Sequence, residues 1–86
     1  MYSLTYLLSA QRQLGRLDSS VAIRIKRKLD WLIENIESLD PEGLRHGLAG
    51  LAQIREGDYR IIYERLDAEQ LIIVHSIGHR SEIYKD

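Results

Sequence analysis

The chain has 86 residues, a formal net charge of -1 and no cysteine, so we expect one domain, 1–86, without disulfides or thiolate metal sites. No apolar run approaches the roughly 18 residues of a membrane span. The first residues also lack the basic start and apolar stretch of a signal peptide. We therefore expect a cytoplasmic protein with no membrane partner. The three histidines, His46, His75 and His79, lack the spacing of metal ligands, and we predict no metal and no cofactor.

The charge is unevenly distributed. Between Arg12 and Lys28 lie six basic residues and one acidic residue, and the segment from Asp30 to Glu42 is acidic. Near-neutral charge is unusual for a protein that binds nucleic acid. A local basic face can nevertheless attract phosphate groups, because the local potential decides the attraction.

The N-terminal segment predicts a strand followed by a short helix. Residues 2–7 place Tyr2, Leu4 and Tyr6 at period two, which is typical of a strand. Ser9 is a candidate N-cap for a helix that reaches about Leu17.

A second, longer helix follows the capping signal 18–20. Its apolar residues recur at steps of three and four, which predicts one buried stripe: Val21, Ile25, Leu29, Leu32, Ile36 and Leu39. Trp31 lies away from the centre of this stripe and is predicted to cover a sheet edge or a partner. Pro41, within 40–43, is expected to end the helix.

The C-terminal half predicts a loop, 44–50, and then three strands, 51–55, 58–66 and 71–77. Glu56-Gly57 is typical of a tight hairpin turn. On the second strand the pattern puts Tyr59, Ile61 and Tyr63 on one face, and Arg60, Ile62 and Glu64 on the other. The third strand is almost continuously apolar, which indicates a central strand covered on both faces, and Gly78 is predicted to break it.

This element order predicts an α+β fold. An N-terminal strand and a two-helix hairpin pack on an antiparallel sheet of about four strands. The helices cover one face of the sheet, and the other face is left as a functional surface.

Four side chains near the last two strands could converge in such a sheet: Arg60, His79, Arg80 and Tyr84. Cleavage of RNA by its own 2'-hydroxyl needs a base, an acid and a cation at the phosphate. Histidine suits the proton roles, arginine the phosphate, and tyrosine can stack on a base or move a proton.

Structural roles are the alternative for each of these residues. Arg60 could pair with Glu64 or Asp58, and His79 could be a surface or capping residue. Tyr84 could pack on the sheet rim. His75, within an apolar strand, is interpreted as a hydrogen-bonded structural residue.

The segments 48–63 and 78–84, with Gly57-Asp58-Tyr59-Arg60, Gly78-His79-Arg80 and Glu82-Ile83-Tyr84, resemble the RelE-type toxins of the RelE/ParE superfamily. The resemblance implies a RelE-like fold and cleavage of messenger RNA in the ribosomal A site. It also implies a cognate antitoxin partner in a type II toxin–antitoxin system, with operator DNA contacted only through that antitoxin.

By this resemblance Arg60 and Arg80 act on the phosphate, with Arg80 alternatively the general acid, and Tyr84 stacks on or activates the nucleotide. His79 is assigned proton transfer. The residues expected to touch RNA are Arg55, Arg45, Lys26 and Lys28. Some family members carry two lysines on the strand before the hairpin, but 51–53 has none, which leaves the general base open.

Two other functions remain open. A ParE-like inhibitor of DNA gyrase would share the strand motif and would not need the lysines. A scaffold that only joins an antitoxin in a DNA-bound repressor complex would not arrest growth by itself.

Overall fold

A computed structural model describes residues 1–39 and 51–83, with side chains up to Ser81. The elements are β1 (Ser3–Tyr6), α1 (Leu8–Gly15), α2 (Ser19–Asn35), a 3-10 turn (Ile36–Ser38), β2 (Leu51–Glu56), β3 (Tyr59–Leu66), β4 (Leu71–His79) and α3 (Arg80–Ile83). The predicted α+β order of one strand, two helices and three strands is confirmed.

The four strands form one sheet in the order β1-β4-β3-β2. The three C-terminal strands are antiparallel, as predicted. β1 instead pairs with β4 in parallel, from Ser3 opposite Leu71 to Tyr6 opposite Val74. Most of the chain lies between these two strands, so no hairpin turn imposes an antiparallel pairing. The sheet is therefore mixed.

The predicted α2 stripe forms one wall of the core. Ile25, Leu29, Leu32 and Ile36 are at most 1% exposed, and Val21 and Leu39 pack beside them. The sheet supplies the other wall: Ala52, Ile54, Ile61, Tyr63, Ile72, Val74 and Ile77. Burial raises the pKa of the core tyrosine, Tyr63, to about 12, so its hydroxyl stays neutral at physiological pH.

Two helix ends differ from the prediction. Leu7, not Ser9, is the N-cap of α1, because the Ser9 hydroxyl donates to the carbonyl of His75 at 3.0 Å. α2 ends at Asn35, where the side chains of Asn35 and Ser38 bond to nearby carbonyl oxygens and compete with the helical pattern. The predicted terminator 40–43 and the loop 44–50 lie outside the described residues.

β4 is the central strand, but it is longer than predicted. Gly78 does not break it, since Gly78 and His79 pair with Arg60 and Tyr59 of β3. Nor is it covered on both faces, because its buried residues alternate with half-buried ones such as Ile73. The apolar run reflects a central position in the sheet with one fully buried face.

The β2–β3 hairpin turns at Gly57, one residue later than Glu56-Gly57 predicts, because Glu56 still pairs with Tyr59. Gly57 has a φ of 60°, which favours glycine. A Cβ here would also lie 2.6 Å from Nη2 of Arg24. The turn therefore sits against α2, with Arg24 Nε 3.4 Å from Glu56 Oε2.

A polar cluster ties β1 to the β3–β4 turn. The Tyr2 hydroxyl donates to Asp67 Oδ1 at 2.6 Å, and Arg65 Nε donates to the same oxygen at 2.5 Å. The Tyr2 hydrogen bond, with that of Arg65 second, holds the pKa of the Asp67 carboxyl below its usual range. The ionised form of Asp67 is therefore favoured in the folded protein.

Asp67→Asn is expected to lower the free energy of unfolding at pH 7. A carboxyl with a depressed folded pKa stabilises the fold above its unfolded pKa, and this stabilisation is lost as pH falls. The difference between variant and wild type should thus shrink below about pH 4, as measured by urea unfolding across pH. Asp58→Asn, in an exposed turn, is the matched control. A difference independent of pH would contradict the assignment.

Candidate functional site

The side of the sheet away from α1 and α2, here called the second face, carries the arginines. Arg60, Ile62 and Glu64 lie there, because Ile61 and Tyr63 are buried in the core and strand side chains alternate. This confirms the predicted division of β3.

Arg60 occupies the middle of a three-strand row. It lies directly opposite Arg55 on β2 and Gly78 on β4. Arg60 is 9% exposed, while Arg55 is exposed. Gly78 adds no side chain to this row, so the surface beside the guanidinium is lined by the two arginines.

The two positive charges of this row, on Arg55 and Arg60, favour the binding of an anion. Nη1 of Arg60 is buried and has no hydrogen-bond partner among the described residues. In this part of the chain no ion pair joins Arg60 to Glu64 or Asp58, and Glu64 bonds His75 instead. Like charges directly opposite each other destabilise a sheet, and a buried charge needs a partner. The pair Arg55–Arg60 is therefore suited to a phosphate or carboxylate, which a guanidinium binds through two parallel hydrogen bonds.

The structure does not bring His79 to Arg60. His79 pairs with Tyr59, and strand alternation places both side chains on the helix-covered face. The two rings meet edge to face, with centroids 5.6 Å apart and planes at 82°. His79 Nδ1 also accepts the backbone N–H of Ser81 at 3.2 Å, so the imidazole caps α3, which is the structural alternative considered for this residue.

Arg80 lies at the same end of the sheet as Arg60. It is the exposed first residue of α3, and its backbone N–H donates to the carbonyl of Asp58 at 2.8 Å. Tyr84 and Arg45 lie outside the described residues.

Lys26 and Lys28 are on α2, on the other side of the sheet from Arg60. Lys26 is exposed, and Lys28 Nζ lies 4.3 Å from the ring centroid of Trp31. Trp31 stays 41% exposed, and its predicted cover of a sheet edge or a partner stays a prediction. Trp31 lines a shallow groove with Arg24, Arg27, Lys28 and Glu56. The sheet therefore lies between the two lysines and Arg60.

A histidine–carboxylate pair shares the second face. Nε2 of His75 lies 3.1 Å from Oε1 of Glu64, which confirms that His75 is hydrogen-bonded. Its place on the second face was not predicted, because a bulge in β4 shifts the alternation at this point. The only sequence signal is the polar pair His75-Ser76 within an apolar run.

Within 1–39 and 51–83, no three His, Asp or Glu side chains come together as a metal site. None of the helices in that part of the chain is both long and apolar enough to span a bilayer.

Comparison with known protein families shows which family this chain belongs to. The family described as "ParE toxin of type II toxin-antitoxin system, parDE" matches residues 4–84, which is nearly the whole chain. The chain belongs to this family. It is therefore a member of the RelE/ParE superfamily and a toxin of the type II toxin–antitoxin class.

Solved RelE structures are similar over most of their length. The isolated E. coli RelE toxin is 28% identical, with 98% of this chain and 92% of that chain covered at a TM-score of 0.74. A chain of the RelBE2 toxin–antitoxin complex of Mycobacterium tuberculosis is 25% identical, with 92% and 98% covered and a TM-score of 0.77. A chain of the intact E. coli RelBE complex is 24% identical, with 92% and 96% covered at 0.77, which shows the shared fold. No curated protein sequence matches significantly.

Proposed function

We propose that this toxin is a ribosome-dependent endoribonuclease, which cuts messenger RNA in the A site by attack of a ribose 2'-hydroxyl. The observation that carries the proposal is the arginine pair on the second face. Arg60 is buried with Nη1 unpartnered among the described residues, and Arg55 lies directly opposite. The similarity to isolated RelE supports the same function.

The arginines supply the phosphate chemistry. In the reaction the phosphorus becomes pentacoordinate and its oxygens gain negative charge. Arg60, held rigid by its strand and by burial, is positioned to stabilise that charge, while Arg55 holds the backbone phosphate. Arg80 keeps its proposed role at the phosphate or as general acid, and Tyr84 its proposed role of stacking on or activating the nucleotide. His79 is omitted from this set, because it caps α3 on the other face.

The proposed partners follow from the same argument. The ribosome presents the message, so the protein acts in the cytoplasm. The similar structures from E. coli and Mycobacterium tuberculosis are toxin–antitoxin complexes, and we propose a cognate antitoxin that neutralises this toxin. Operator DNA would be contacted only through that antitoxin. Lys26 and Lys28, along with Arg45, remain proposed RNA contacts, the two lysines with RNA remote from the cut.

Primer extension in a purified translation system tests the proposal. We expect cuts within the A-site codon that require ribosomes, and about 10- to 150-fold slower cutting by Arg55→Ala, since a lost charged hydrogen bond costs about 1.5–3 kcal/mol. Arg12→Ala, which removes an exposed arginine of α1, is the matched control and should cut normally. Growth arrest by the toxin without any ribosome-dependent cut would contradict the proposal.

A gyrase inhibitor is the second candidate, favoured by the ParE family match and by the absence of lysine in 51–53. It predicts that purified toxin stops DNA supercoiling while RNA stays intact. Normal supercoiling at toxin concentrations well above those of gyrase would exclude it.

A further inference from the structure

β4 contains a bulge centred on His75. Ile62 pairs with Ser76, but the next residue of β3, Tyr63, pairs with Val74. His75 is thus an extra residue in β4. Such bulges commonly redirect a side chain beside a functional site, and here the redirected side chain is an imidazole on the face that carries Arg60.

Helix α1 forms hydrogen bonds to β4 at the bulge, along the side of β4 that faces β1. β1 stops at Tyr6, opposite Val74, so in the described part of the chain no strand pairs with the edge of β4 beyond that point. Ser9 Oγ donates to the carbonyl of His75 at 3.0 Å. Gln13 Oε1 accepts the backbone N–H of Ile77 at 2.7 Å. Two side chains of α1 therefore hold the backbone of β4 at the carbonyl of His75 and at the N–H of Ile77, and the backbone N–H of Leu7 holds the carbonyl of Val74 before the bulge at 2.9 Å.

The hydrogen bond to Glu64 uses Nε2 of His75 and leaves Nδ1 as the free nitrogen of the imidazole. An ionised carboxylate can only accept hydrogen bonds, so in the neutral ring the proton lies on Nε2, which faces Glu64 at 3.1 Å. Nδ1 then carries a free lone pair, and it has no hydrogen-bond partner among the described residues. The side chains of His75 and Glu64 are 28% and 35% exposed, which is open enough for a substrate to approach.

The His75–Glu64 pair lies close enough to Arg60 for both to contact one nucleotide. His75 lies on β4, opposite the junction between Ile62 and Tyr63 of the neighbouring strand β3. From strand spacing and rise, its Cα lies about 10 Å from that of Arg60. An arginine and a histidine that extend toward each other across this distance can act on one phosphate and the ribose next to it.

We propose that His75 is the general base of this toxin and that Glu64 is its positioning residue. The inference rests on the proposed ribonuclease function. His75 Nδ1 takes the proton of the 2'-hydroxyl as the 2'-oxygen bonds to phosphorus. The bond from phosphorus to the 5'-oxygen breaks, and that oxygen leaves with a proton from Arg80 or water. The products are a 2',3'-cyclic phosphate and a 5'-hydroxyl end, and His75 returns its proton to solvent.

A purely structural pair would behave differently. A partly exposed ion pair contributes at most about 1 kcal/mol to stability. General base catalysis contributes about 10²- to 10⁴-fold to a rate. Loss of His75 should therefore appear in the cleavage step far more than in folding.

The test compares His75→Gln and His75→Ala with wild type on programmed ribosomes, with kcat and KM measured separately. In His75→Gln the introduced amide can still donate to Glu64 but offers no ring nitrogen as a base. We expect kcat to fall at least 100-fold in both variants with KM nearly unchanged, about the contribution of a general base, and added imidazole to restore part of the activity of His75→Ala. Glu64→Gln should lower kcat less, because the base remains.

The outcomes separate the two proposals. If wild type makes no ribosome-dependent cut, the nuclease function itself fails. If wild type cuts and His75→Gln cuts at the same rate, the nuclease stands and His75 is structural. A loss of kcat in His79→Ala with none in His75→Gln would move the base to the other face and overturn the assignment. Thermal unfolding of each variant confirms that it is folded.

Discussion

Arg60→Met is expected to stabilise the protein and to inactivate it. Nη1 of Arg60 is buried without a hydrogen-bond partner among the described residues, and an unsatisfied buried donor costs about 1–3 kcal/mol. Methionine fills much of the same space without charge. The free energy of unfolding should rise by about 1–3 kcal/mol, which raises Tm by about 4–8 °C per kcal/mol in a domain of this size.

The same change should lower the cleavage rate by about 10²- to 10³-fold, the usual effect of removing one group that stabilises transition-state charge. Arg60→Lys is the matched variant. It keeps the charge without the planar fork, so we expect partial activity and no gain in stability. Calorimetry and primer extension on the same preparations provide both readouts. A less stable but fully active Arg60→Met would mean that this arginine serves the fold alone.

Ile61→Ala is expected to have the largest effect on stability. Ile61 is 0% exposed at the centre of β3, beside Ile54 and Ile77 on the neighbouring strands. Truncation of a buried isoleucine to alanine costs about 2–5 kcal/mol. Because small domains have only about 5–15 kcal/mol of stability, this variant should lose a large fraction of its stability and unfold at a much lower Tm.

Ile62→Ala is the matched control, because it removes the same atoms from a half-buried position on the second face. We expect a loss of about 1 kcal/mol, since less apolar surface leaves contact. Urea unfolding of both variants measures the difference. Equal losses would mean that the second face is packed as tightly as the core.

The local periodicity of apolar residues predicted most of the helices and strands. The α2 stripe from Val21 to Leu39 and the alternation of β3 were readable because a helix and a strand repeat about every 3.6 and two residues. Assignments that depend on one residue were weaker. Ser9 has the chemistry of an N-cap but bonds to a distant strand, and Gly78 can stay in β4 because Arg60 pairs with it.

The element order, the α+β class, the apolar stripe of α2 and the division of β3 into two faces, with Arg60 opposite Tyr59 and Ile61, could all be predicted from the sequence. These depend on patterns within one segment. Four features required the folded structure: β1 runs parallel to β4, Arg55 faces Arg60, His79 lies on the other face, and a bulge brings His75 to Glu64. Each of these depends on register between segments, and a shift of one residue exchanges the faces of a strand.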